Sequence, residues 1–246
     1  MSADRHLVVG LGNPGEKYRF TRHNIAWLVL DAFAARVNWR GGGKGRDAAM
    51  VHAGRVLGLN LVVAKPTTFM NESGIAVRKL LASERIPLEQ LLVVVDDFSL
   101  PFGALRLREG GSSGGHNGLA SIAGELDTEK FPRLRIGIGD PTESGSAHQH
   151  VLGEFSLAER ALLPQVAAAA GEAIEAWARD GLNKSATAFN GWAPTVETPG
   201  DGAAATPAPA AGEVDGPVGS DGIRKTTHGW RKPLVQRKAK PGDDAR

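Results

Sequence analysis

The chain has 246 residues with no cysteine, 29 Lys+Arg against 27 Asp+Glu, and 6% aromatic residues. That length suits one to two domains with a sizeable buried core, and the missing thiols exclude disulfide frameworks, thiolate zinc sites, iron-sulfur clusters and cysteine nucleophiles. The formal charge of +2 hides an uneven distribution: residues 1–194 carry 21 basic and 20 acidic side chains, residues 195–222 none and five, and residues 223–242 seven and none.

In chain order, apolar runs of strand length fall at 7–11, 49–56, 61–64, 91–95, 104–107 and 134–138. Helical stretches are expected at 24–37, 71–81, 117–126, 157–179 and 184–189. Three of the strands (Leu7-Val-Val, Leu61-Val-Val and Leu91-Leu-Val-Val-Val) are continuously apolar, as in strands covered on both faces. The expectation is an α/β single domain: a mostly parallel, mixed twisted sheet with helices on both faces. No run approaches the roughly 20 apolar residues of a membrane helix. The N-terminal Met1-Ser-Ala-Asp-Arg-His has neither the apolar region nor the cleavage site of a signal peptide. A cytoplasmic protein without a membrane partner is therefore expected.

From Thr195 the pattern collapses. Residues 195–222 contain six Gly, six Ala and four Pro with no large apolar residue beyond three valines, a composition that buries too little surface to order itself. They read as a disordered acidic linker, and 223–246 as a basic disordered tail. The bland reading of that tail is a solvated end; the sharper one is a weak RNA-tethering arm. The organisation expected is thus a folded domain over 1–194 with an appendage.

In open α/β sheets ligands bind outside the carboxyl ends of the strands. The residues there are Gly10-Leu-Gly-Asn13-Pro-Gly15 and Thr21-Arg-His23-Asn24 after the first strand, Lys65-Pro-Thr-Thr-Phe-Met70-Asn71 after the 61–64 run, Asp96-Asp97 after the 91–95 run, and Gly114-Gly-His-Asn117-Gly before the 117–126 helix. Each polar residue has a structural alternative. Asn71 and Asn117 suit helix N-caps, Asn13 a turn, His23 a satisfied imidazole, and Asp96 a cap or bridge. Their convergence on one edge instead gives the inventory of a hydrolytic site: an imidazole base, a carboxylate that sets its tautomer, and carboxamides that bind a developing oxyanion. No Gly-x-Ser-x-Gly turn offers a serine nucleophile.

Two other motifs compete. Gly10-Leu-Gly12-Asn-Pro-Gly15 fits the dinucleotide fingerprint with Asp31 downstream, but no helix opens within the glycines and Pro14-Gly15 reads as a turn. His148-x-His150 lacks a nearby carboxylate cluster and reads as an exposed loop rather than a metal site. In Arg106-Leu-Arg108 and Arg133-Leu-Arg135 the arginines of each triplet share one strand face. They serve either as exposed salt-bridge partners or as a phosphate-reading patch.

The ordered set Val9-Gly-Leu-Gly-Asn-Pro-Gly15, Thr21-Arg-His-Asn24, Lys65-Pro-Thr-Thr-Phe-Met-Asn71, Asp96-Asp97 with Leu100-Pro101, Gly114-Gly-His-Asn-Gly118 and Phe131-Pro-Arg-Leu-Arg-Ile-Gly-Ile-Gly139 resembles the bacterial-type peptidyl-tRNA hydrolase family over residues 7 to about 191. The resemblance implies a cofactor-free, metal-free, monomeric enzyme that hydrolyses the ester of peptidyl-tRNA. It implies His23 as general base and Asp96 as its orienting carboxylate. Asn13, Asn71 and Asn117 would hold peptide, 3′ end and water, Tyr18 and Met70 would line the cleft, and Arg108 and Arg135 would meet tRNA phosphates. The chain departs from the family pattern at Ser99, where an acidic residue is common, and at Ser112-Ser113 in the glycine-rich loop. A non-enzymatic RNA-binding relative and a nicotinamide-dependent enzyme are the alternatives.

Overall fold

The computed structural model describes residues 5–39, 43–141 and 145–195. The expectations for the linker and the basic tail, which concern 196–246, lie outside the described residues.

The first strand, β1 (Arg5–Gly10), leads through two 3-10 turns, Glu16–Tyr18 and Arg22–Asn24, into helix α1 (Ile25–Arg36). Strands β2 (Lys44–Arg46), β3 (Ala49–Val56) and β4 (Leu59–Pro66) follow, then a 3-10 turn at Met70–Glu72 and helix α2 (Ser73–Glu84). Next come β5 (Leu91–Asp97), β6 (Leu105–Arg108), α3 (Asn117–Leu126) and β7 (Arg133–Gly137). Helices α4 (Ala147–Leu152), α5 (Leu157–Asp180) and α6 (Leu182–Phe189) complete the described chain. The sequence pattern anticipates these elements to within a few residues, except β2 and α4. The α4 segment, which includes His148-x-His150, was expected to be an exposed loop. It is a helical turn and a half whose His150 is buried, with Nε2 3.0 Å from the Ile138 carbonyl.

The sheet order is β2-β3-β4-β1-β5-β7-β6. The four central strands β4, β1, β5 and β7 run parallel, and antiparallel pairings lie at both margins. Side chains alternate along each strand, so the continuously apolar runs feed two cores. On one face Val8, Leu92, Val94, Leu134 and Ile136 meet Ile25, Val29 and Phe33 of α1 and Val166, Ile174 and Trp177 of α5. On the other, Leu7, Val9, Val62, Val93 and Val95 meet Val77 and Leu80 of α2 and Leu119 and Ile122 of α3. Helices α2 and α3 approach so closely that a Cβ on Gly74 would lie 2.2 Å from the Ser121 carbonyl oxygen.

Helix α5 starts with a reciprocal capping box. Ser156 Oγ accepts from the Glu159 N–H, and Glu159 accepts from the Ser156 N–H. At the domain's end Thr195 exchanges backbone hydrogen bonds with the Gln165 carboxamide, which ties the last described residue to α5.

β1 is followed by α1 on one face and its parallel neighbour β4 by α2 on the other, so the connections diverge between these two adjacent strands. The crevice at the carboxyl ends of β4, β1 and β5 is the place where such a sheet binds ligands.

Candidate active site

That crevice is a cleft of about 600 Å³, and its lining includes Asn13, Tyr18, His23, Met70, Asn71, Asp96 and Asn117. Seven of the nine residues anticipated as functional thus share one cavity. The remaining two, Arg108 and Arg135, lie on β6 and β7.

His23 sits in the turn before α1, and its neighbour Arg22 anchors that turn. Arg22 forms an ion pair with Glu159 at 2.8 Å, donates to the Glu154 carbonyl at 2.7 Å, and its own N–H donates to the Gly153 carbonyl at 2.9 Å. The imidazole is 8% exposed, and its Nδ1 lies 2.9 Å from both carboxylate oxygens of Asp96. Asp96 is next to last in β5, a strand buried along its whole length. A second imidazole, His116, reaches the same carboxylate, with Nε2 3.0 Å from Asp96 Oδ1.

The hydrogen bonds set the tautomers. His116 Nδ1 accepts from the N–H groups of Gly118 and Leu119 at the start of α3. Its proton therefore sits on Nε2 and is donated to Asp96. His23 donates its Nδ1 proton to the carboxylate, which leaves Nε2 unprotonated and without a partner among the described residues, on the wall of the cleft. Burial alone would raise the Asp96 pKa, but the electrostatic attraction of the His116 and His23 rings and the hydrogen bonds from both outweigh it. They hold the carboxyl well below the ordinary carboxylate range. The site therefore holds an ionised carboxylate hydrogen-bonded to two imidazoles.

The potential metal-ligand atoms of His23, Asp96 and His116 all lie within 4.8 Å of one another. The nitrogens that face the carboxylate are N–H donors already hydrogen-bonded to it, so the cluster reads as a hydrogen-bonded triad rather than a cation cage.

The asparagines are not helix caps. His116 caps α3, and the turn at Met70–Glu72 has no side-chain cap. Asn13 Oδ1 accepts from the Met70 N–H at 2.9 Å, joining the β1 loop to the β4 loop and leaving its Nδ2 donors without a partner among the described residues. Asn71 and Asn117 are exposed on the cleft lining with no side-chain bond to the described chain. Three carboxamides are thus free to bind a ligand. Met70 is buried beneath α3, and a Cβ on Gly118 would lie 2.6 Å from its sulfur.

Asn24 and His116 belong to this site although the sequence reading singled out neither. Asn24, fully buried, accepts from the Asn13 N–H at 2.8 Å and donates to the Asn13 carbonyl at 3.0 Å, holding the loop that presents Asn13. Its place beside His23 in Thr21-Arg-His-Asn24 was the available signal. His116 stood in a glycine-rich stretch beside an asparagine that better fits capping statistics.

The arginine triplets divide. Arg106 and Arg108 point outward from edge strand β6 and have no acidic partner among the described residues. Arg135 lies 2.8 Å from Asp97 through Nε. Arg133 is 2% exposed and donates to the carbonyls of Phe131, Ser112 and Glu129, so it staples the glycine-rich loop and takes no part in a surface patch. Asp31, the ribose candidate of the dinucleotide reading, pairs with Lys65, and α1 opens only at Ile25, far beyond the glycines. That leaves no helix N-terminus for a pyrophosphate within the motif.

The family model for Peptidyl-tRNA hydrolase matches residues 7–198. The peptidyl-tRNA hydrolase of Desulforudis audaxviator is 46% identical over 190 residues, covering 76% of this chain and 93% of that protein. That of Herpetosiphon aurantiacus is 47% identical over 189 residues, covering 76% and 91%. The crystal structure of peptidyl-tRNA hydrolase from Acinetobacter baumannii superposes with a TM-score of 0.71 at 30% identity, covering 77% of this chain and 96% of that one. No helix among the described residues is long and apolar enough to cross a membrane. A buried His–Asp pair facing a cleft of free carboxamides, on a sheet shared with these relatives and across nearly their whole length, makes this chain a member of the peptidyl-tRNA hydrolase family.

Proposed function

We propose that the chain hydrolyses the ester between a peptide and the terminal ribose of tRNA, with water as nucleophile and His23 as general base. The observation that carries this reading is the 2.9 Å contact of His23 Nδ1 with Asp96, which leaves Nε2 basic and facing the cleft. Nε2 takes a proton from water as the hydroxyl adds to the ester carbonyl, and Asp96 stabilises the imidazolium that forms. The tetrahedral intermediate collapses, the ribose oxygen departs, and the imidazolium returns its proton to that oxygen. Free tRNA and a peptide acid result, and the acid releases its proton to solvent. Donors from Asn13, Asn71 and Asn117 bind the oxyanion, the peptide and the 3′ end, while Tyr18 and Met70 shape the walls.

Arg108 and Arg135 read phosphates of the tRNA arm, since a guanidinium fork suits phosphate geometry. The enzyme acts as a cytoplasmic monomer without metal or cofactor. The test is release of tRNA from an N-blocked aminoacyl-tRNA by the wild type and His23→Ala. The variant should be inactive, and full activity in it refutes the mechanism. Binding of tRNA without turnover by the wild type would make the chain an RNA-binding relative instead. Arg108→Ala should raise KM for full-length tRNA more than for a short 3′-end ester, and equal effects refute phosphate reading.

A further inference from the structure

β5 ends in two adjacent carboxylates, which strand alternation sends to opposite faces. Asp96 turns to the imidazoles. Asp97 continues the face of Val93 and Val95, and Val95 registers with Arg135 on β7. Asp97 is 5% exposed. Its Oδ1 accepts from the Ser99 N–H at 2.9 Å and from the Ser99 hydroxyl at 2.7 Å. Its Oδ2 lies 2.8 Å from Arg135 Nε, an ion pair in which the N–H is not aimed along the oxygen's hydrogen-bond direction.

The pair engages Nε, and the Nη1 and Nη2 groups of Arg135 have no hydrogen-bond partner among the described residues. A Cβ on Gly114 would lie 4.0 Å from Arg135 Nη2, so the terminal nitrogens stand beside the glycine-rich loop, one residue from Gly115 on the cleft lining. A free arginine samples many rotamers and loses that freedom on binding. A guanidinium held at Nε loses less, and it still offers the Nη1/Nη2 edge to a bidentate acceptor. Arg106, the cross-strand partner of Arg135, and Arg108 have no such tether among the described residues.

We propose that Asp97 is a positioning residue for substrate binding: held by Ser99, it orients Arg135 toward a tRNA phosphate at the rim of the cleft. β5 then organises both ends of the substrate, Asp96 the reacting ester and Asp97 the nucleic-acid arm. Ser99 has a part in this that an acidic residue at that position lacks, because its hydroxyl donates to Asp97 Oδ1. The inference rests on the phosphate role proposed above for Arg135.

The experiment compares Asp97→Asn, Arg135→Ala, their double variant and Ser99→Ala on N-blocked aminoacyl-tRNA and on an N-blocked aminoacyl ester of the 3′-terminal trinucleotide. Thermal unfolding monitors the fold. Asp97→Asn keeps the shape and the acceptor for Ser99 but removes the charge. It should raise KM for tRNA roughly two- to tenfold, the cost of immobilising one long side chain, with little change in kcat and a smaller effect on the trinucleotide ester. Ser99→Ala, which removes only the hydroxyl, should show a weaker form of the same selective rise. The double variant should be no worse than Arg135→Ala alone, because both remove one interaction.

A fall in KM for tRNA in Asp97→Asn overturns the proposal, since Asp97 would then merely neutralise Arg135. Equal losses on both substrates, or additivity in the double variant, also overturn it. If Arg135→Ala raises KM for tRNA while Asp97→Asn and Ser99→Ala do not, only the positioning role fails. If Arg135→Ala has no selective effect, the phosphate reading fails and the positioning role with it.

Discussion

Asp96→Asn tests the site at its centre, because the variant keeps shape and volume while removing one charge. Gly118 and Leu119 donate to His116 Nδ1, so His116 still has to donate through Nε2, and the carboxamide must keep its oxygen at the Oδ1 position. The NH2 group then falls at the Oδ2 position, which lies 2.9 Å from His23 Nδ1. An N–H on Nδ1 would face that NH2 group and could donate only to the Oδ1 oxygen, also 2.9 Å away and already shared with His116, so the tautomer that leaves Nε2 unprotonated is weakened. That is the nitrogen needed to accept a proton from water. The variant also loses the attraction between carboxylate and imidazolium. At a charge separation of about 4 Å and an effective dielectric constant of about 20, that attraction is about 4 kcal/mol, or about a thousandfold in rate. Single-turnover release of tRNA from an N-blocked aminoacyl-tRNA should therefore slow about a thousandfold, with KM little changed because the carboxamides and arginines proposed to hold substrate are untouched. A folded variant within about tenfold of the wild-type rate would refute the reasoning, since the carboxylate would then neither set the tautomer nor stabilise the imidazolium.

Asp96 also predicts an acid-dependent stability. Its folded-state pKa lies below the ordinary 3.8, so the unfolded chain takes the proton first as pH falls, and the stability the carboxylate contributes is present above that value and lost below it. Unfolding free energies of wild type and Asp96→Asn should converge as the pH drops from about 5 to about 2.5; a constant difference refutes this. Asn24→Ala leaves the Asn13 N–H and carbonyl buried without partners, at about 1–3 kcal/mol each. It should lower both thermal stability and kcat, and an unchanged kcat would separate Asn24 from the site. Gly74→Ala forces α2 from α3 at the 2.2 Å contact and should cost about 1–3 kcal/mol in denaturant unfolding; a neutral result would show that the helices shift freely. Ending the chain at Thr195 should preserve kcat on a short ester, and a large loss would assign the segment beyond it to the catalytic unit.

Much of this molecule was legible from local pattern. The three continuously apolar runs implied strands covered on both faces, and their carboxyl ends marked where His23, Asp96 and the asparagines would gather. Those inferences hold because strand periodicity and the position of polar residues after a buried run are properties of the chain itself. Helix α4 was not legible. It is short, and His150 ties it to the core through a hydrogen bond to the Ile138 carbonyl, a contact made 12 residues away.

Partnership among polar groups required the tertiary structure. Arg133 and Arg135 are equivalent in the sequence, yet one is buried against three carbonyls and the other paired with Asp97. Asn117 looked like a cap, but His116 took that role and so fixed its own tautomer toward Asp96. By itself the sequence determined the α/β class, the edge that carries the candidate site and the choice of His23 and Asp96, which the fold brings together. The second ring on that carboxylate, the buried amide behind Asn13 and the division of labour among the arginines were decided only in three dimensions. Hydrophobic periodicity is local, whereas a hydrogen bond depends on where a distant donor comes to rest.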